Sequence, residues 1–320
     1  MSKKVIGYDI GGTKCAVILG EVGGKAPRIL DKLQFPTEAD KSHEITLLNF
    51  KRFTERIFGD NDLSPADIDC IGISCGGPLD SKRGVILSPP NLPDWDGVPI
   101  ARHFREVFGV PVKVQNDANA CALAEWKYGA GRGCDSMIFL TFGTGLGAGL
   151  ILNGRLYVGA SDMAGEVGHI RLEDDGPEAY GKRGSFEGFC SGAGISHLTE
   201  IIAEREIDKG YNPLFCTSEE GINPKTVAEA ALKGDETAIE IYKTCGEHLG
   251  KGLAILIDIL NPERIVIGSV FARQRDLIWR YCEPVLKREA LSYSLNVCEV
   301  VPAALGENVG DIAALAVADM

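Results

Sequence analysis

Two glycine-rich turns contain residues whose types and spacing could do chemistry. The first, Asp9-Ile-Gly-Gly-Thr-Lys14, places a carboxylate beside several unhindered backbone N–H groups, as a phosphate or a magnesium-bound phosphate requires. The second, Gly143-Thr-Gly-Leu-Gly147, offers similar N–H groups in the other half of the chain. Two such turns could hold one nucleotide across a cleft, although each also fits an ordinary β-hairpin. A P-loop is excluded, because the sequence has no G-x-x-x-x-G-K-[ST] segment.

Acid and base groups lie in two further segments. Asp117 follows an apolar run and precedes an alanine-rich one, so it is a candidate general base at a strand-to-helix junction. The alternative for Asp117 is a structural helix N-cap. Glu166 and His169 are three residues apart in a glycine-rich segment, so they share a face on a helical turn and point to opposite faces of a strand. A lone histidine is more often structural, but the neighbouring Glu166 and the glycines favour a site.

The elements that position these residues are predicted from apolar runs and breakers. Each glycine turn is flanked by two short apolar runs, which indicates two hairpins and a duplicated architecture. The predicted strands are residues 5–10, 15–20, 70–74, 110–114, 137–142, 148–152 and 264–267. The predicted helices begin after Ser42, span 118–128 before Gly129, and span 235–260 before Asn261-Pro262.

Length and charge narrow the class of protein. A chain of 320 residues exceeds the usual size of one core, which predicts two α/β domains with a cleft between them. The net charge of −12 repels phosphate backbones and anionic lipids, so neither nucleic acid nor membrane is expected as a partner. The sequence shows no export signal and no apolar run long enough for a membrane span. Ten scattered cysteines are expected to be reduced, and the protein to be cytoplasmic.

Taken in order, the motifs resemble the ROK family of bacterial-type sugar kinases and related repressors, a branch of the actin-like ATPase fold. The resemblance covers nearly the whole chain. It rests on Asp9-Ile-Gly-Gly-Thr-Lys14, Gly76-Gly-Pro78, Ser88-Pro-Pro-Asn-Leu-Pro-Asp-Trp95, Asn116-Asp-Ala-Asn-Ala120, Phe142-Gly-Thr-Gly-Leu-Gly147, Gly165-Glu-Val-Gly-His169 and Gly310-Asp-Ile-Ala-Ala314. The resemblance implies a duplicated, ribonuclease H-like two-domain fold with an N-terminal domain over 1–117, a larger domain over 118–305, and a final helix over about 306–320 that packs on the first domain.

The resemblance also implies a role for each matched residue. Asp117 would be the catalytic base. The sugar would be bound by Gly77, Asn91, Asn116, Asp117, Glu166, His169 and Glu187. ATP phosphates or magnesium would be bound by Asp9, Gly11, Gly12, Thr13, Lys14, Gly143, Thr144 and Gly145, with Asp9 acting on Mg²⁺ indirectly. Gly268 and Ser269 would border the adenosine pocket, where the family usually has a second glycine in place of Ser269.

The segment after His169 departs from the family pattern. Many members carry three cysteines there that join the histidine on zinc. The corresponding positions in this chain are Glu178, Tyr180 and Ser185, which do not form a His/Cys₃ zinc site. We therefore predict no structural zinc, and expect the loop to be held by packing around Tyr180 and Phe186.

The function implied is transfer of the ATP γ-phosphoryl group to a hexose, with the 6-hydroxyl of glucose as the leading acceptor. N-acetylglucosamine, N-acetylmannosamine, fructose and allose remain alternatives, because epimer choice depends on side-chain geometry. A non-catalytic sugar-sensing regulator is a second alternative, opposed by the absence of a helix-turn-helix segment before the first strand. An actin-like chaperone or filament is a third. The family's tendency to dimerise implies a homodimer.

Overall fold

The structure, a computed structural model, describes residues 2–24, 26–38, 41–218 and 220–320, in which runs of strands and runs of helices follow one another. The strands are β1 (Lys3–Ile10), β2 (Lys14–Val22), β3 (Arg28–Pro36), β4 (Cys70–Cys75), β5 (Leu79–Asp80), β6 (Val85–Leu87), β7 (Asp96–Val98), β8 (Val112–Asn116), β9 (Met137–Leu140), β10 (Ala148–Leu152), β11 (Arg155–Tyr157), β12 (Glu178–Ala179), β13 (Lys182–Arg183), β14 (Arg264–Ile267) and β15 (Glu299–Pro302). The helices are α1 (His43–Asp60), α2 (Ile100–Phe108), α3 (Asp117–Tyr128), α4 (Phe186–Phe189), α5 (Gly192–Asp208), α6 (Pro224–Leu232), α7 (Glu236–Leu260), α8 (Ser269–Glu289), α9 (Ser292–Leu295) and α10 (Val309–Ala318).

The chain divides into two compact units. The first contains the described residues up to Cys134 together with Gly149–Ala164 and Ala304–Met320, and the second contains Asp135–Ala148 and Gly165–Ala303. The chain has two five-stranded sheets that contain both parallel and antiparallel pairs, accompanied by helices, as predicted for an actin-like α/β fold. The domain boundary predicted between residues 117 and 118 stays a prediction.

The sheet of the first unit brings two predicted site segments to one edge. Its strand order is β3-β2-β1-β4-β8, with β1 antiparallel to β2 and parallel to β4, and β4 parallel to β8. Ile10 is in register with Cys75, and Cys75 with Asn116. The carboxyl ends of parallel strands meet at the same edge of a sheet, where ligands of open α/β folds bind. The register therefore places Asp9 and Asp117 about two strand spacings apart, roughly 10 Å between backbones.

An aromatic core supports this sheet from one side. Tyr8 of β1, Phe50 of α1 and Phe104 of α2 are all fully buried. The Tyr8 ring centroid lies 4.5 Å from that of Phe50 and 4.9 Å from that of Phe104. The Tyr8 hydroxyl is satisfied by a 2.8 Å hydrogen bond with Thr54. These contacts hold β1, and hence Asp9 at its end, against α1 and α2.

Helix α10 packs against the opposite side of the first sheet. A methyl group on Gly72 of β4 would lie 2.3 Å from the Ala314 carbonyl oxygen and 2.4 Å from the Ala318 nitrogen. One on Gly7 of β1 would lie 3.0 Å from Ala314 Cβ. Glycines in β1 and β4 therefore let the helix backbone approach the strands closely.

In the second unit, parallel strands bring the second glycine turn next to Gly268. Strand β14 pairs in parallel with both β9 and β15, and Leu140 is in register with Ile267. The Gly268 N–H donates to the Leu140 carbonyl (3.0 Å), and the Val270 N–H to the Phe142 carbonyl (2.9 Å). The segment that follows β14 is thus tied to the residues that lead into the Gly143 turn.

The sequence signal for the start of α1 is confirmed, and α7 begins one residue after its predicted start. Ser42 is the N-cap of α1 and accepts a hydrogen bond from the Glu44 N–H. Asp235 is the N-cap of α7 and accepts one from the Ala238 N–H. In contrast, the N-cap of α3 is Asn116, while Asp117 is the first helical residue. The alternative of Asp117 as an N-cap is therefore wrong.

Many of the cysteines are free thiols inside the folded units. Cys15, Cys70, Cys75, Cys190, Cys245 and Cys282 are buried free thiols. Over residues 2–24, 26–38, 41–218 and 220–320, no helix is both long and apolar enough to cross a membrane.

Candidate active site

The first glycine turn leaves two adjacent backbone donors available. The Gly11 N–H is used within the turn, where it donates to the Lys14 carbonyl at 3.1 Å. The N–H groups of Gly12 and Thr13 donate to no acceptor among the described residues. Adjacent unused N–H groups at a turn form an anion-binding nest. A methyl group on Gly12 would lie 2.8 Å from Asn91 Cβ, so glycine is required for this approach.

The second turn has the same arrangement. The Gly143 N–H donates to the Gly145 carbonyl at 3.1 Å, and the Leu146 N–H donates to Glu187 Oε2 at 2.8 Å. The N–H groups of Thr144 and Gly145 have no acceptor in the part of the chain that the structure describes. Each turn therefore presents one pair of neighbouring donors that suits a phosphate oxygen.

Asp117 stands at the junction of β8 and α3. Its Oδ1 accepts a 2.8 Å hydrogen bond from the Ala118 N–H, which Asn116 Oδ1 also approaches at 2.9 Å. The side chain is solvent-exposed, so a substrate can reach it. Protein nevertheless surrounds the carboxyl closely enough to weaken its hydration, which raises the pKa of Asp117 above its ordinary value. Asp117 is thus accessible and has an increased affinity for a proton.

Asp9 lies at the centre of a group of charges. Burial, and then the neighbouring carboxylates of Asp311 and Asp117, raise the pKa of Asp9 to about 6, against the opposing charges of Lys32 and Lys14. Asp311 is buried and accepts a 2.6 Å ion-pair hydrogen bond from Lys32 Nζ. A cation would relieve this concentration of negative charge, and carboxylate oxygens are suitable ligands for Mg²⁺. Among the described residues no three His, Cys, Asp or Glu side chains form a metal-holding group, so a divalent cation near Asp9 would take its other ligands from phosphate oxygens and water.

The raised pKa of Asp9 predicts a pH-dependent stability. The folded state binds a proton more tightly than the unfolded state, so this group contributes stability at acid pH that is lost as pH rises through about 6. The Asp9→Asn variant lacks this pH-dependent contribution to stability. We expect the free energy of unfolding of Asp9→Asn, relative to wild type, to rise by about 1 kcal/mol from about pH 5 to about pH 7.5. Urea denaturation without nucleotide measures this change in the free energy of unfolding.

The control is Glu55→Gln, which removes an exposed carboxylate on α1. A difference in the free energy of unfolding between Asp9→Asn and wild type that does not vary with pH would contradict the raised pKa of Asp9.

The loop that carries Asn91 is held at its far end by α1. The His43 backbone N–H donates to Asp94 Oδ2 at 2.9 Å, and the His43 ring nitrogen Nδ1 lies 2.9 Å from the Asp94 carbonyl oxygen. Trp95, which follows, is almost fully buried. A methyl group on Gly77 would lie 3.0 Å from Asn116 Nδ2. Asn91 is thus adjacent to Gly12, and Gly77 to Asn116.

The segment that carries Glu166 and His169 lies beside Glu187 in the second unit. Residues Val167–His169 form a 3-10 helix with Glu166 at its N-cap. Residues three apart lie on one side of such a helix, as predicted for a helical turn. A methyl group on Gly168 would lie 3.1 Å from Glu187 Cβ, and one on Gly145 would lie 2.8 Å from Glu187 Oε2. Glu187 therefore connects the His169 segment with the second glycine turn.

Gly268 and Ser269 lie beside the same turn. A methyl group on Gly143 would be 3.7 Å from Ser269 Oγ. Ser269 has φ +49°, a left-handed conformation that glycine adopts without strain and serine does not. The glycine that the family resemblance implies at this position would adopt this conformation more easily than Ser269 does.

The segment without zinc-binding cysteines forms a small hairpin. Glu178 belongs to β12, which pairs with β13, and Ser185 is the N-cap of α4. Phe186 is fully buried, whereas Tyr180 is 70% exposed, so of the two expected packing residues only Phe186 is part of the core. No three His, Cys, Asp or Glu side chains of the described residues are grouped so as to hold a metal ion.

Asp311 and Lys32 were not among the predicted site residues. Asp311 belongs to Gly310-Asp-Ile-Ala-Ala314, so the motif contained a signal for it. Lys32 lies in a strand with no motif, and only the fold pairs it with Asp311.

A sugar kinase is the class of protein that the two nests and the exposed carboxylate suggest, and comparisons with known proteins agree. The model of the ROK family matches residues 5–320. The chain therefore belongs to the ROK family.

The relatives include enzymes and regulators. A glucokinase from Thermotoga maritima is 31% identical over 98% of this chain and 96% of its own length. The crystal structure of a ROK family glucokinase from Streptomyces griseus, in complex with glucose and AMPPNP, is 30% identical with a TM-score of 0.75, covering 99% of this chain and 98% of that one. A xylose repressor from Caldicellulosiruptor bescii is 30% identical over 83% of this chain and 65% of its own length.

Proposed function

We propose that this protein is an ATP-dependent hexose kinase that transfers the γ-phosphoryl group of ATP to the 6-hydroxyl of glucose. The observation that carries the proposal is the accessible Asp117 carboxylate with its raised pKa, at the sheet edge that also presents Asp9 and the Gly12–Thr13 donors. The similarity to glucokinases over nearly the whole chain supports it.

In this proposal Asp117 accepts the proton of the attacking sugar hydroxyl. A base in this role works best when its pKa is close to the working pH, and the protein around Asp117 shifts its pKa in that direction. The hydrogen bond from the Ala118 N–H fixes the carboxylate orientation. Because phosphoryl transfer depends mainly on alignment and charge neutralisation, this fixed orientation is as important as basicity.

The nucleotide phosphates are assigned to the two nests. The N–H groups of Gly12, Thr13, Thr144 and Gly145 would donate to phosphate oxygens, with Gly11, Lys14 and Gly143 shaping or flanking the turns. Asp9 would act on Mg²⁺ indirectly, through water molecules bound to the cation, since Mg²⁺ usually keeps several waters. When bound, the cation neutralises charge on the transferring phosphoryl group. Gly268 and Ser269 would border the adenosine.

Amide, carboxylate and imidazole side chains are assigned to the sugar hydroxyls. They are Asn91, Asn116, Asp117, Glu166, His169 and Glu187, with Gly77 approaching closely beside Asn116. Carboxylates accept hydrogen bonds from hydroxyls, while amides can also donate to them. The same set would suit other hexoses, so an N-acetylhexosamine or fructose remains the alternative acceptor.

A coupled ADP-release assay with Mg-ATP tests the proposed activity. We expect the highest kcat/KM for glucose, compared with N-acetylglucosamine, N-acetylmannosamine, fructose and allose. A different preferred hexose would correct the substrate while retaining the enzyme class. ATP hydrolysis that no hexose stimulates would support an actin-like ATPase instead.

A sugar-sensing regulator is the second candidate, supported by the similarity to a xylose repressor. Measurable hexose binding without ADP release would favour it. The homodimer, the cytoplasmic location, and the expectation of no zinc and no nucleic-acid partner stay predictions.

A further inference from the structure

The segment between His169 and Glu187 is closed by a clamp, which we define as residues 170–173 paired with 184–186. The Phe186 N–H donates to the Ile170 carbonyl at 2.8 Å. The N–H groups of Leu172 and Glu173 both donate to the Gly184 carbonyl, at 2.9 and 3.1 Å. A methyl group on Gly184 would lie 2.2 Å from the Glu173 carbonyl oxygen. Because His169 precedes one side of the clamp and Glu187 follows the other, moving the clamp moves both.

The clamp is anchored on one stretch of α7. The Glu173 carboxylate forms an ion pair with Lys251, and His248 Nε2 lies 3.3 Å from Glu173 Oε1. The hydrogen bond from Lys251 lowers the pKa of Glu173, so the carboxylate stays charged. The Phe189 ring stacks on the His248 ring, with centroids 3.7 Å apart and an interplanar angle of 9°.

The apolar part of this anchor leaves little free space. Phe186 is fully buried, and a methyl group on Gly252 would lie 2.2 Å from Phe186 Cζ. Packing therefore limits how far the clamp can leave α7, while the polar contacts of Glu173 determine its position along the helix. The ion pair can set the positions of His169 and Glu187 without being needed for folding, because partly exposed ion pairs contribute little to stability.

We propose that Glu173 is a positioning residue, which holds the clamp on Lys251 and His248 and so places His169 and Glu187 for binding the hexose. The inference rests on the proposed function of those two residues. Glu187 contacts the second glycine turn through the Leu146 N–H. That turn is also held by the start of α5, because the Gly192 N–H donates to the Gly143 carbonyl at 2.7 Å and the Ala193 N–H to the Thr144 carbonyl at 3.1 Å. Loss of the Glu173 contact should therefore weaken hexose binding more than ATP binding.

Steady-state kinetics and direct hexose binding on the full chain test this. We expect Glu173→Gln to raise the Kd and KM for hexose about 3- to 10-fold, with the KM for ATP changed less than about twofold. Lys251→Met should give the same pattern, whereas Lys251→Arg should stay near wild type. The double variant Glu173→Gln/Lys251→Met should be no worse than either single variant, because coupled residues are not additive.

The control is Asp174→Asn, an exposed neighbour in the same segment. Hexose affinity of Glu173→Gln equal to that of wild type would overturn the inference while leaving the kinase proposal intact. A lower thermal unfolding midpoint with unchanged hexose affinity would assign Glu173 a purely structural role and also overturn it. A wild-type protein that neither binds nor phosphorylates any hexose would overturn the proposed function first, and this inference with it.

Discussion

Replacing Asp117 by asparagine is expected to lower the kcat of hexose phosphorylation by ~10²–10⁴, the usual contribution of a positioned general base. An amide of the same shape keeps an oxygen for the Ala118 N–H, so α3 should still begin at the same residue. The amide does not accept the sugar proton at neutral pH. Hexose binding should therefore survive in part, with its Kd changed far less than kcat.

Steady-state ADP release measures kcat, and equilibrium hexose binding measures Kd, so the two experiments together separate loss of catalysis from loss of binding. Asp60→Asn, at the exposed C-terminal end of α1, is a matched control that should retain wild-type kcat. Wild-type turnover by Asp117→Asn would remove Asp117 from the catalytic role. Because the pKa of Asp117 is raised, the acid side of the wild-type pH profile for kcat/KM should lie above the range of an ordinary aspartate.

Replacing Gly72 by alanine is expected to destabilise the first unit by about 1–3 kcal/mol or more. The added methyl group would lie 2.3 and 2.4 Å from backbone atoms of α10, and backbone cannot swing aside as a flexible side chain can. Helix α10 would have to move off β4. It would carry with it Asp311, the partner of Lys32, and the Gly310 backbone beside Asp9. Activity should therefore fall together with stability.

Urea denaturation followed by tryptophan fluorescence measures this effect, since Trp95 and Trp126 belong to the first unit. Gly59→Ala is the matched control: Gly59 lies in α1, and no atom is within 4 Å of the position of its added methyl group. That control should stabilise the protein, by up to about 1 kcal/mol, because alanine favours a helix over glycine. A Gly72→Ala variant as stable as wild type would show that α10 can shift at little cost.

Local sequence signals were most reliable where one residue type determines one backbone feature. Ser42 was recognisable as the N-cap of α1, and strand β14 was predicted with its observed limits, Arg264–Ile267. The cap of α3 was harder to predict. Asn116 and Asp117 are both good caps, and the choice depended on where the pairing of β8 with β4 ends.

The candidate site was predictable as a set of motifs, but its internal contacts were not. The glycine turns, Asp117 and the Glu166–His169 pair could be selected because their chemistry and spacing are contained in short segments. The ion pair of Lys32 with Asp311 joins residues 279 positions apart in sequence. No periodicity or motif reports a pairing of that kind, since it exists only when α10 packs on the sheet that contains β3.

By itself the sequence determined strands such as β1, β10 and β14, the two glycine turns and the types of groups at the site, because each depends on neighbours a few residues away. Tertiary structure decided the rest. The pKa of Asp9 reaches about 6 because folding buries it near Asp311 and Asp117. Glu187 reaches the second glycine turn, and Glu173 reaches α7, because the clamp closes the intervening loop. Burial and charge proximity are properties of the assembled chain, so electrostatics and positioning emerge only when distant segments pack.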